Sequence, residues 1–383
     1  MGESTRARAI AAAVVAMLSV AVVVWWPVRA GAQAKPTAPI FEVDAAWPRE
    51  LPNKWILGQV SGIAVDARDH VWIVHRPGSL ANDEKAAAAD PPIAECCVPA
   101  PPVVEFDPQG SVVRAWGGPG DGYEWPTQEH GIAVDHRGNV WVSASGAKDA
   151  HVLKFTADGR FLLQIGRLGQ SGGNNDTANL GRPAEMRVDP ETNELYVADG
   201  ENGGNRRVIV FDADTGAYKR HWGAYGQKPD DEPPPAFDRA GPPPKQFGSA
   251  AVHCVRIAKD GLVYVCDRGN NRIQVFRRDG TFVAETIVAR QTRGIGSVWD
   301  VELSHDQQFL YVADGTNMKV WLLRRSDLAP VGSFGRMGRN AGQFRGVNAL
   351  GVDSHGNIFT GEVSDGRRVQ RFVFKGVAPA PGQ

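Results

Sequence analysis

His130 and His253 stand at the same place in two copies of one motif. His130 precedes Gly131-Ile132-Ala133-Val134-Asp135, His253 precedes Cys254-Val255-Arg256-Ile257, and Asn348 holds the matching place before Ala349-Leu350-Gly351-Val352-Asp353. A neutral imidazole offers a nitrogen lone pair, and two of them converging suit a first-row divalent cation such as zinc with a position left open for substrate. Asn348 would close the set as a neutral amide oxygen, a weak ligand for zinc. The plainer reading stands beside it: two channel histidines hydrogen-bonded to water or to strand ends.

Convergence needs a fold that brings distant positions together, and internal repetition supplies it. The unit is a strand ending in V-D, a short turn, a V-W/Y-V strand, an N-R-containing third strand and a fourth closing on W-G or F-G. Its copies open at Gly62–Asp66, Gly131–Asp135, Met186–Asp189, Val255–Ile257, Val301–Leu303 and Leu350–Asp353. Four short alternating strands form one propeller blade, which cannot bury both faces alone, so the expected fold is all-β, a six-bladed β-propeller. Innermost strands line the channel, and five residues back from the terminal Asp or its equivalent come Ser61, His130, Ala184, His253, Trp299 and Asn348. The two imidazoles and Asn348 thus fall on alternate blades, about a third of a turn apart. The sixth copy lacks a fourth strand, and Phe41-Glu42-Val43-Asp44 is a spare one, so an N-terminal strand is expected to close the ring.

The propeller is expected over residues 40–375, with a disordered tail at 376–383. Ahead of it, Arg6 and Arg8 precede an uncharged apolar run from Ala9 to Trp26 and small residues at 30–34. Residues 1–34 therefore read as a secretory signal peptide, or as an uncleaved N-terminal anchor, and either places the rest in the periplasm or outside the cell. Formal net charge is −1 over 383 residues, which provides no field for collecting phosphates, so nucleic acid is excluded as a partner. A membrane enters only through the N-terminal segment. Two stretches, 77–102 and 228–245, break the period and are expected as long loops, the kind that cover sites or stay disordered. Counting outward from a Lys259-Asp260-Gly261 turn sets Cys254 opposite Cys266, as a disulfide or as two buried thiols. Adjacent Cys96 and Cys97 form a vicinal bridge, stay free or bind a soft metal.

The run His130–Asp135, the pair His75-Arg76 ending a V-W-I-V strand, and Asp199-Gly200 leading to Asn205-Arg206-Arg207-Val208 resemble the peptidyl-α-hydroxyglycine α-amidating lyases, NHL-repeat propellers, along residues 41–375. The resemblance implies a zinc held by three histidines of alternate blades, a catalytic arginine and tyrosine, and a structural calcium. By position His130 and His253 match zinc ligands and Arg76 the arginine. Asn348 departs from the third histidine, Ala349 from an acidic calcium ligand, and Glu201 or Asn202 from the tyrosine, with Glu201 as the candidate base. The Asn-Arg pairs, Asn205-Arg206 and Asn271-Arg272, read as structural turns. The expected function is a metal-dependent C–N lyase acting on a small polar or peptide substrate. The alternative is a non-catalytic scaffold that binds a protein or carbohydrate. A sugar-lactone hydrolase is a third option, disfavoured because no carboxylate stands at the ring positions.

Overall fold

A computed structural model describes residues 37–250 and 252–379. The expected export segment, 1–34, lies outside the described residues, as do 380–383. The chain forms six four-stranded antiparallel sheets around one axis. Blade 1 comprises Gln59–Val65, Val71–Arg76, Val103–Phe106 and Val112–Trp116; blade 2, Glu129–Val134, Val140–Ala144, His151–Phe155 and Phe161–Gly166; blade 3, Pro183–Asp189, Glu194–Asp199, Arg207–Asp212 and Tyr218–Trp222. Blade 4 comprises Val252–Ile257, Val263–Asp267, Arg272–Phe276 and Phe282–Ile287, and blade 5, Asp300–Leu303, Phe309–Asp314, Lys319–Arg324 and Pro330–Phe334. Blade 6 takes Val347–Val352, Ile358–Glu362 and Val369–Pro379, and its outer strand is Thr37–Asp44 from the other end of the chain. The expected closure is observed, with Phe41 opposite Phe374 and Asp44 opposite Arg371. The disordered tail needs correcting: residues 376–379 continue the last strand, because Thr37 to Pro39 pair with them and satisfy their backbone.

Each repeated residue has a physical task. The Asp of V-D accepts backbone N–H bonds across the first turn, Asp66 from Arg68 and His70, Asp135 from Arg137 and Asn139, which is an Asx turn closing the hairpin. Its second oxygen takes the indole N–H of the following strand's Trp72 or Trp141. The second Asp anchors the next turn: Asn205 and Arg207 donate to Asp199, Asn270 and Arg272 to Asp267. The Asn-Arg elements are thus structural, although in blade 3 the anchored guanidinium belongs to Arg207, and in blade 4 the anchoring amide is that of Asn270 while Asn271 donates to the Thr292 carbonyl. Arg206 instead binds the carbonyls of Asp230 and Glu232.

Among the described residues the apolar core divides into six clusters, each spanning two adjacent blades. Trp72 and Val103 of blade 1 meet Ile132 and Val142 of blade 2, and Ile63 and Val104 meet Ala349 and Phe359 of blade 6. A fully buried side chain of this size stabilises by about 1.5–3 kcal/mol. Stability therefore resides between blades, which is why one blade cannot fold alone. Both cysteine pairs are disulfides, Cys254–Cys266 across directly opposed strand positions and Cys96–Cys97 between neighbours.

Candidate metal and substrate site

In blades 2, 4 and 6 the second residue of the inner strand, His130, His253 and Asn348, lines one small cavity. Gly131 lets the inner strands of the adjacent blades 2 and 3 approach closely, since a Cβ there would lie 2.6 Å from the Ala184 carbonyl oxygen. On this frame the His130 and His253 rings meet edge to face with centroids 4.9 Å apart. His130 Nδ1 lies 2.8 Å from the Ala184 carbonyl oxygen and His253 Nδ1 contacts that of Trp299. A carbonyl can only accept, so both Nδ1 atoms carry the proton and both Nε2 atoms present a lone pair. Burial, then Arg76 and Arg268, hold His130 well below the ordinary histidine value. Burial, Arg268 and then His130 do the same to His253. Both rings are neutral near pH 7.

Asn348 repeats the pattern at the third corner: its Nδ2 donates to the Ser61 carbonyl at 2.6 Å. Ala184, Trp299 and Ser61 are the ring positions of the next blades, so one hydrogen bond recurs three times about the axis. Asn348 lines the same small cavity as both histidines. Glu185 and Asp300 line it too. They lie one residue beyond the ring positions, so the absence of carboxylates at those positions did not mean a cavity without carboxylates.

Glu201 enters from blade 3, where Asp199-Gly200 leads into a single turn at Glu201–Gly203. A Cβ on residue 200 would fall 1.7 Å from the Asn205 carbonyl oxygen, so only glycine allows the chain to fold back and bury Glu201. Its Oε1 accepts from Arg268 at 2.9 Å, and its Oε2 lies 3.5 Å from His253 Nε2. Burial pushes the carboxyl up, while Arg268 and Arg76 oppose the shift. Glu201 Oε2 and His253 Nε2 are buried without a hydrogen-bond partner. One ligand atom from each of His130, Glu201 and His253 falls within 4.8 Å of the others. Two orphaned lone pairs, with His130 beside them, fit the metal the resemblance implies.

Arg76 reaches the same field, donating from Nε to the Glu129 carbonyl at 2.7 Å and from Nη1 to Gln59 at 3.0 Å. Arg268, unforeseen from the sequence, holds Glu201 and the Ala250 carbonyl and lies over the Trp299 ring at 5.0 Å. The signal was present: Val71–Arg76 and Val263–Arg268 align residue for residue, placing both arginines sixth. Both long excursions attach here, one starting directly after Arg76 and the other rejoining blade 4 through Ala250. The structural calcium does not fit. Ala349 offers no ligand, and on the axis Arg256 already contacts Glu185, Asp300 and Glu302.

The NHL repeat family matches residues 252–276, within blade 4. The chain is 27% identical over 247 residues to NHL repeat-containing protein 3 of Mus musculus, covering 63% of this chain and 58% of that protein. It is 25% identical over 261 residues to the Caenorhabditis elegans protein named "Probable peptidyl-alpha-hydroxyglycine alpha-amidating lyase pgal-1", covering 65% of this chain and 63% of that one. The chain thus spans less than two thirds of either relative's length. Among solved structures, a streptogramin B lyase shares the fold alone, with a TM-score of 0.51 at 11% identity over 88% of this chain and 98% of that one. This protein is therefore a six-bladed β-propeller carrying an NHL repeat and similar in sequence to an α-amidating lyase.

Proposed function

We propose that this protein is an exported, metal-dependent C–N lyase that acts at the channel mouth on a small or peptide substrate bearing a hydroxyl beside the scissile nitrogen. The observation carrying this reading is the pair of imidazoles fixed through Nδ1, with bare Nε2 atoms converging beside an unpartnered carboxylate oxygen. His130 and His253 would hold the cation, and a bound divalent cation supplies charge that makes a hydroxyl oxygen easier to deprotonate. Arg76 is anchored through Nε and Nη1, which leaves its Nη2 free of protein partners among the described residues to pair with an oxyanion of the substrate. The hydroxyl proton passes to solvent as its oxygen collapses to a carbonyl and the C–N bond breaks, and the departing nitrogen takes up one proton from solvent, so the step is proton-neutral. A peptidyl-α-hydroxyglycine would yield a peptide amide and glyoxylate.

The test is glyoxylate release from such a substrate by the purified protein. Activity should vanish with EDTA, return with zinc, and fall about 100-fold in Arg76→Ala, the scale of losing one positioned charge donor. Metal-loaded protein without turnover would remove the lyase reading. Asn348 at the third corner favours the second reading, a scaffold for a protein or carbohydrate, and a wild type that takes up no metal would select it.

A further inference from the structure

Deepening that reading, we infer that the third protein ligand of the metal is Glu201, making a two-histidine, one-carboxylate site, and that Asn348 is a structural residue outside the ligand set. Glu201 is thereby a ligand and not the base expected from the sequence.

Two buried acceptors, Glu201 Oε2 and His253 Nε2, face each other with no hydrogen-bond donor between them, and a ring nitrogen of His130 lies within 4.8 Å of both. His253 is 3% exposed and Glu201 4%, so both atoms are shielded from bulk solvent, and no protein donor lies between His253 Nε2 and Glu201 Oε2. Their separation of 3.5 Å is longer than the usual range of an O–H···N bond. It does match the edge of a tetrahedral site, about 3.4 Å when both ligands sit near 2.1 Å from a zinc-sized ion. The three ligand atoms lie within 4.8 Å of one another, and closing onto an ion takes shifts of about an ångström. Arg268 grips the other oxygen of Glu201 at 2.9 Å, fixing the carboxylate so that Oε2 faces the imidazoles, the outer support that metal-bound carboxylates commonly have.

Asn348 lacks the reach. Its Nδ2 makes the bond to the next blade that each histidine makes with Nδ1. Superposed on an imidazole in that pose, the remaining Oδ1 falls at the carbon beside the ring's Nε2, one bond short of the position from which a histidine would ligate. The site therefore carries one formal negative charge where three histidines carry none, and two imidazoles with a carboxylate accept zinc, iron(II) or cobalt(II) with open positions.

The experiment is metal binding to the full chain after EDTA treatment and dialysis, by calorimetry with Zn²⁺ and by visible absorption with Co²⁺. The wild type should take one equivalent. Glu201→Gln should weaken binding 100-fold or more, whereas Asn348→Ala should change it less than about fivefold. Zinc K-edge absorption on Asn348→Ala, which needs no alteration of the proposed ligands, should show two imidazoles and a carboxylate oxygen. A wild type without metal, a Glu201→Gln protein that binds as tightly as wild type, or loss of metal in Asn348→Ala would each overturn the assignment. Glu201-dependent binding without glyoxylate release would leave the ligand set standing and remove only the lyase reading.

Discussion

His75 shows what a buried imidazole does when it is only structural. Its Nδ1 accepts from the Gly58 N–H at 3.1 Å, and its Nε2 donates to the Pro101 carbonyl at 3.0 Å. Both nitrogens are used, and burial pushes the ring down to about 4. A depressed folded-state value means that the unfolded chain takes up the proton first, so stability present above about pH 6.5 is lost as pH falls towards 4. The full effect is about 3 kcal/mol for this residue. In EDTA, wild type should lose melting temperature between pH 7 and pH 5, and His75→Gln should lose less over the same interval; equal slopes would refute this. His130 and His253 differ in leaving Nε2 unused. Asn348→His, which adds a nitrogen where Asn348 has none, should tighten zinc binding about tenfold or more by competition with a chelating dye. The histidine pair was legible because a repeat turns equal sequence position into equal height on the axis. Glu201 was legible only as a departure, since its role depends on the fold-back at Gly200. Glu185 and Asp300 escaped because alternation places neighbours on opposite faces, and near the axis both faces of a strand meet the channel.

At the scale of strands and turns, the sequence was read almost completely. The V-D pair, the Asn-Arg turns and the cysteine register all follow from two-residue alternation and Asx geometry. The tail misled because residues 376–379 carry too little apolar pattern to announce a strand, and pairing with Thr37–Pro39 supplies the order instead. The N-terminal strand also packs Phe41 against Tyr311, Phe334 and Phe374, and ties Asp44 to Arg371. Removing residues up to Asp44 exposes that edge and should lower the melting temperature by about 10 °C or more. A truncated chain melting within a few degrees of the untruncated protein would contradict the closure. Cys254 and Cys266 are separated by 12 positions, a short loop whose cross-link contributes about 2–3 kcal/mol. Urea denaturation of the Cys254→Ala, Cys266→Ala double variant should show a loss of that size, and alkylation of unreduced wild type should label neither thiol.

The whole ring is held by its six interfaces and by one polar node on the axis. Arg256 of blade 4 contacts Glu185 of blade 3 together with Asp300 and Glu302 of blade 5, and Asp300 also accepts the Leu350 N–H of blade 6 at 2.7 Å. Arg187 adds a second cation, pairing with Glu185 at 2.8 Å and reaching the Ile132 carbonyl of blade 2 at 3.2 Å. Removing one member of such a buried node strands the others and costs about 3–5 kcal/mol, so Arg256→Met should be strongly destabilised in a thermal melt. Calcium should leave the wild-type melting temperature unchanged within about 1 °C in EDTA-treated protein, and a rise of several degrees would show an ion-binding core. Repeat structures fastened by a mineral ion loosen whenever that ion becomes scarce. Here the fastening charge at this node is covalently part of the chain, so this part of the ring's stiffness is inherited at synthesis and needs no dissolved calcium.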